Sequence, residues 1–258
     1  MTDSILFSDS TLNGYCISGT VYLLLPVIAF LLMKRQRTAY IFPVILGVIV
    51  YFTAVQFSNL FGNIMGFSRD YAARTVIAAE LVSIFEEVGR WFAMRYPVTG
   101  IRSTDAAVCY GIGHGGLECW IRGFQQFQIM QYGRQVNAEG IRSFLAGKAP
   151  ERAAEITAQL QQYADRSPLL CLTDLLHSMT SFGVHLALTL LLYRKMQESN
   201  FDPRWLLLAV LLHDALNAVS LAASLTGSAL FTSFSGLLAG AALIWFVSRK
   251  IRLCPSES

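Results

Sequence analysis

The fold class that this sequence predicts is an all-α, polytopic transmembrane helix bundle of about seven spans, and three observations carry it. Of 258 residues, 54% are hydrophobic and 14% charged, against about 25% charged in an ordinary soluble domain. Mean hydropathy is +0.47. Apolar runs near the roughly 20 residues that cross a bilayer also recur along the whole length, separated by short polar connections.

The N-terminal stretch MTDSILFSDSTLNGYC is acidic and has no basic segment ahead of an apolar one. No cleavable signal peptide is expected, and the first span, about 15–33, serves as its own targeting signal. The second span is expected at about 40–61 and the third at about 72–95. The fourth, about 104–130, is long and interrupted by glycines. A connection over about 131–167 is the one sizeable extramembrane piece. Its end, ERAAEITAQLQQYADR, is rich in helix formers. Ile156, Leu160 and Tyr163 there fall at i, i+4, i+7, so an amphipathic helix on the membrane surface is expected. A lid over an entrance is the sharper alternative. Three more spans follow at about 168–193, 205–222 and 226–248, the sixth being short. Short or broken spans are where membrane proteins tend to build sites.

Basic residues set the orientation. With the N-terminus outside, the inner loops hold eleven Lys and Arg residues and the outer side seven, five of those in one long loop. The topology expected is N-out, C-in. The chain reads as one integral membrane domain, 1–258, with no internal repeat.

Composition also excludes. The net charge of +3 is small, and no basic cluster with interleaved aromatics suggests nucleic acid. The expected partners are the lipid bilayer and a membrane-associated peptide or protein. Cys16, Cys109, Cys119, Cys171 and Cys254 form no CxxC pair and read as small core residues.

Against this background the segment Ile84-Phe85-Glu86-Glu87-Val88-Gly89-Arg90-Trp91 is out of place. A charge in mid-membrane costs a few kcal/mol on insertion scales. It is tolerated where the group faces a polar interior, finds partners and is used. Measured from the expected inner ends of their spans, Glu86, His114, His185 and His213 each lie eight to ten residues in, about 12–15 Å at the helical rise. Four ionisable groups on four spans thus share one depth. Glu86 and Arg90 are i, i+4 on one helix face, as are His114 with Glu118 and His213 with Asn217. Glu87 points about 100° from Glu86 and needs a partner of its own. Gly111, Gly113, Gly115 and Gly116 around His114 would let another helix, or an extended peptide, approach closely.

Two chemistries suit this set. A desolvated Glu86 with His114 can take a proton from a water and direct it at a peptide carbonyl. His213 and Asn217, one turn apart, supply two donors for the oxyanion, and Arg90 holds Glu86 in place. Alternatively His114, His185 and His213 ligate zinc, with Glu86 or Glu87 as a further ligand or base. The glutamate-type mechanism needs no cofactor.

FEEVGRW, GHGGLE and HDALN resemble the three motifs of the YhfC family of intramembrane proteases. That family is related to the CAAX prenyl endopeptidases, the bacteriocin-processing enzymes and the PrsW proteases. Their pattern is a Glu-Glu pair followed by a basic residue, then an FxxxH-like segment, then HxxxN or HxxxD, on separate transmembrane helices. The match covers about 72–222. The resemblance implies that Glu86, Glu87 and Arg90 form the first motif, His114 the second, and His213 with Asn217 the third. It further implies that Glu86 and His114 activate the water and that His213 and Asn217 make the oxyanion site. The chain reads EExxR where CAAX-type members have EExxxR, and Tyr110 replaces the phenylalanine of the second motif. Glu118 and the span bearing His185 lie outside the CAAX pattern and are YhfC-like.

The expected activity is therefore an intramembrane endopeptidase, catalytic through Glu86, Glu87, His114, His213 and Asn217, supported by Arg90, Glu118 and His185. The expected location, from the resemblance, is the bacterial inner membrane. Two rivals use the same residues: a proton-coupled transporter or channel with a Glu/His relay, and a silent scaffold or immunity-type membrane protein. Four further polar residues are expected outside the chemistry. His177 is expected to hydrogen-bond a neighbouring helix, and Asp174 to act near the outer mouth or at a helix end. Asp214 is expected to be structural, and Glu80 to pair with Arg122.

Overall fold

The computed structural model describes residues 5–64, 71–96, 101–198 and 202–252. Its elements among those residues are helices only: α1 Asp9–Gln36, α2 Ile41–Ile64, α3 Tyr71–Arg95, α4 Thr104–Glu139, α5 Ile141–Phe144, α6 Pro150–Ala164, α7 Pro168–Glu198, α8 Arg204–Ser224 and α9 Ala229–Arg252. The seven long helices fall on the seven expected spans. Five of them (α1, α2, α7, α8 and α9) are long and apolar enough to cross a membrane. The other two, α3 and α4, carry Glu86, Glu87, Arg90, His114 and Glu118.

Local signals set the helix ends. The Ser8 hydroxyl accepts the Thr11 N–H at 3.1 Å and starts α1. Ser103 does the same for α4 through Ala106 at 3.1 Å. Each cap satisfies a donor that the first turn leaves unpaired. Pro150 opens α6 at a position where its missing N–H costs nothing.

The fourth helix is longer than expected. It runs unbroken to Glu139, nine residues past the anticipated end, and stops where Gly140 takes φ 79°. Thirty-six residues span about 54 Å at 1.5 Å each, well beyond a hydrocarbon core of about 30 Å. Its far half meets α6. Leu160 is buried there with Ile5, Phe7, Tyr15 and Met130, and Ile156 and Tyr163 pack alongside. The apolar stripe of α6 is thus turned onto the protein itself. The N-terminal segment completes this corner: Asn137 and Phe7 exchange two hydrogen bonds, at 2.8 and 2.9 Å. Tyr15 donates to the Tyr163 carbonyl at 2.9 Å.

Apolar packing contributes little to helix association in lipid, so close backbone contact matters more. Here α4 is the hub. A Cβ on Gly113 would stand 1.9 Å from the Val44 carbonyl oxygen, and one on Gly47 2.2 Å from that of Tyr110. Helices α2 and α4 therefore cross backbone to backbone. On another side of α4, a Cβ on Gly115 would lie 3.1 Å from the His185 Cβ, which brings α7 in beside His114. Pro26 of α1 fits over Gly116. These approaches answer the expectation about the glycines: another helix occupies the space. The outer surface is a belt of exposed Leu, Ile, Phe and Trp, such as Ile28, Ile49, Phe52, Leu238 and Trp245, as a lipid-facing surface requires.

A buried polar cluster between four helices

One end of the bundle core is apolar, with Ala93, Met94, Ala107, Tyr110, Leu192 and Ala209 packed together. Above it α3, α4, α7 and α8 converge, and each contributes an ionisable side chain. Glu86, Glu87, Arg90, His114, His185 and His213 are all buried, none more than 7% exposed. The shared depth read from the sequence is thus a shared location.

The contacts are specific. His114 Nε2 lies 3.2 Å from Glu86 Oε2, and His185 Nδ1 lies 3.8 Å from the same oxygen. The rings of His114 and His185 are 5.1 Å apart, and that of His213 is 5.5 Å from His185. Glu87 accepts Arg90 Nη1–H on both oxygens, at 2.8 and 3.0 Å. His213 Nδ1 lies 2.9 Å from Glu87 Oε1. Arg90 Nη2 reaches His185 Nδ1 at 3.0 Å. On the far side of His185, Nε2 is 2.8 Å from Glu118 Oε2. Arg122 holds Glu118 Oε1 through two N–H groups, at 3.0 and 2.7 Å.

Two expected pairings are corrected. Arg90 does not hold Glu86 in place; its fork takes Glu87, three residues away, and His185. A guanidinium and α8 approach Glu87 together, which leaves Glu86 to the two imidazoles. Arg122 pairs with Glu118, four residues away on its own helix, and not with Glu80. Ser83 stands between Glu80 and Asp214 instead: its hydroxyl donates to the Glu80 backbone carbonyl at 3.0 Å and to the Asp214 carboxylate.

Other residues stand apart from the cluster. Asn217 is half-buried one turn along α8 from His213 and has no hydrogen-bond partner among the described residues. His177 packs against Gly236 of α9. Asp174 pairs with Arg166 at 2.5 Å and accepts from the Ser233 hydroxyl, near a helix end as expected. Cys109, Cys119 and Cys171 are buried thiols without disulfides, Cys16 is half-buried and free, and Cys254 lies outside the described residues.

Sequence reasoning missed Tyr51 of α2. Its ring meets His114 edge-on at 5.3 Å and His185 at 6.4 Å. Nothing distinguishes it, in the sequence, from the other aromatics of an apolar span. Ser181, which donates to Glu118 at 3.2 Å, was missed for the same reason.

The donor set suits a metal ion. One ligand atom each from Glu86, His114 and His185 lies within 4.8 Å of the others. Two imidazoles and a carboxylate form an ordinary zinc set that leaves a position for water. The charges agree: Glu87 has Arg90 and Glu118 has Arg122, while among the described residues Glu86 faces imidazoles and no guanidinium within ion-pair distance. A carboxylate inside lipid without a direct guanidinium partner is costly, and a divalent cation would offset its charge. The set differs from the three imidazoles read from the sequence. His213 stands beside it, turned by Nδ1 to Glu87.

A polytopic helical membrane protein with a buried Glu/His centre of metal-binding chemistry is the class that fold and site define. A sequence model of the YhfC intramembrane metalloprotease family matches residues 21–232, a stretch that contains every residue of the cluster. The chain belongs to this family. A relative from Bacillus subtilis (strain 168), the "Uncharacterized membrane protein YhfC", is 23% identical over 261 residues, covering 95% of this chain and 98% of that protein. No solved structure matches.

Proposed function

We propose that the protein is an intramembrane endopeptidase that hydrolyses peptide bonds of a membrane-associated protein or peptide, with zinc held by Glu86, His114 and His185. The observation that carries this reading is the Glu86 carboxylate facing two imidazoles from two other helices, at 3.2 and 3.8 Å, inside a buried core. Bound zinc would polarise the scissile carbonyl and lower the pKa of a coordinated water.

The chain's own groups supply the rest. Glu87, held by two contacts from Arg90, accepts the His213 Nδ1–H and orients that ring. Its Nε2 is then the proton carrier between the attacking water and the departing amine. Asn217, one turn further, has a side-chain N–H to donate to the developing oxyanion. Burial strengthens each of these interactions by excluding bulk water.

The direct contact of Glu86 with His114 also favours a second reading, in which that pair activates the water without a metal. Purified protein in nanodiscs, given a membrane-protein substrate, separates the two. Zinc that copurifies, is stripped by chelator together with activity and restores it on return supports the first. Chelator-resistant cleavage supports the second. Full cleavage by Glu86→Ala or His114→Ala overturns both. The distribution of basic residues and the bacterial relative support an N-out, C-in arrangement in a bacterial cell membrane.

A further inference from the structure

His185 is held from both sides by groups that leave its protons no choice. Helix α4 carries His114, Glu118 and Arg122 at successive four-residue steps, one face of one helix. Helix α7 carries Ser181 and His185 at the same spacing. Glu118 links the two helices. Its Oε1 accepts from Arg122 Nε and Nη2, at 3.0 and 2.7 Å. Its Oε2 accepts from the Ser181 hydroxyl at 3.2 Å and faces His185 Nε2 at 2.8 Å.

An ionised carboxylate only accepts hydrogen bonds, and a guanidinium only donates them. Nε2 of His185, against Glu118, must therefore carry the hydrogen. Nδ1, 3.0 Å from Arg90 Nη2, must present a lone pair. Two unrelated neighbours thus specify the same tautomer; its lone pair takes the Arg90 N–H, and Glu86 Oε2 lies 3.8 Å from the same nitrogen.

We propose that Glu118, clamped by Arg122, is a positioning residue that locks His185 as the Nε2–H tautomer and so makes Nδ1 the nitrogen that a divalent metal shared with Glu86 and His114 would take, displacing the Arg90 Nη2–H that the same lone pair accepts here. The metal half of this statement rests on the zinc reading above; the tautomer half stands without it. A carboxylate behind an imidazole ligand fixes the ring and raises its basicity, and losing such a partner typically lowers metal affinity about 10–100-fold. Arg122 acts one step further out, and its side chain is 45% exposed, so its loss costs less.

The test uses full-length protein labelled with 15N-histidine in nanodiscs. The chain has four histidines, and His185→Gln identifies the signals of His185 by their disappearance. In the wild type, Nε2 should appear protonated and Nδ1 unprotonated. Glu118→Ala, and the isosteric Glu118→Gln, whose amide can turn either end to the ring, should give a tautomer mixture. Zinc affinity, read by competition with a chromophoric chelator, should fall about 10–100-fold in both, and less in Arg122→Gln. A residue that merely supported packing would alter thermal stability and leave the nitrogen spectrum unchanged. The same single tautomer in Glu118→Ala overturns the lock. Zinc affinity within about twofold of wild type in both Glu118 variants overturns its role toward the metal. A wild type that binds no zinc brings down the zinc reading, and with it the ligand half; the nitrogen spectra then still decide the tautomer.

Discussion

Gly113→Ala tests the link between helix packing and the site most directly. The added Cβ would lie 1.9 Å from the Val44 carbonyl oxygen and 2.7 Å from its carbonyl carbon. These are backbone atoms and cannot rotate away. Ordinary contact begins near 3.4 Å, so α2 and α4 must part by about 1.5 Å. Overpacking of this kind typically costs 1–3 kcal/mol, occasionally more. The damage also reaches the site. A residue away, His114 would shift against Glu86 and His185, and a misplacement of about 1 Å can cost about 10²-fold in rate. Gly62→Ala on α2 is the control: a Cβ there meets nothing within 4 Å, and alanine suits a helix better by up to about 1 kcal/mol. Thermal unfolding of both variants in the same nanodiscs, with cleavage and zinc binding measured alongside, decides the matter. Gly113→Ala with wild-type stability and full activity would refute the backbone crossing.

Further predictions concern the cluster itself. Arg90→Leu leaves Glu87 buried with only His213 as partner and should cost about 3–5 kcal/mol, while Arg90→Leu with Glu87→Leu should recover much of that loss; unfolding of the two singles and the double measures the coupling. Asn217→Ala should lower the cleavage rate about 10²–10³-fold if its amide serves the oxyanion, whereas a proton relay would tolerate it; steady-state kinetics separate the cases. His177→Phe should leave zinc binding intact while lowering stability where it meets Gly236, which metal analysis and unfolding together would show.

The sequence announces the bundle because lipid imposes a harsh rule: every spanning segment must be long, apolar and helical. The same rule makes exceptions conspicuous, so Glu86, Glu87, His114, His185 and His213 are legible as a group before any coordinates. Their pairing is not. Arg90 can reach either glutamate from its own helix, and only the approach of α7 and α8 turns it to Glu87 and His185. Arg122 is also i, i+4 from Glu118, yet the sequence reading gives it to Glu80. That Glu118 and Arg122 stand behind His185 depends on α7 passing close over Gly115. The length of α4 escaped because Gln125, Gln126, Gln128 and Gln135 lower hydropathy without breaking a helix: glutamine is a good helix former. Tyr51 shows the opposite limit, since an aromatic in an apolar span carries no mark of what it touches.

Complete enclosure of the Glu86 carboxylate has a kinetic side. A polypeptide cannot meet a group walled in by α3, α4, α7 and α8 unless some of those rods swing apart and reseat on every cycle. Such collective motions run on microsecond-to-millisecond timescales and often limit turnover in place of bond breaking. Catalytic throughput should then respond to the fluidity and thickness of the surrounding lipid more than to the reactivity of the amide being cut.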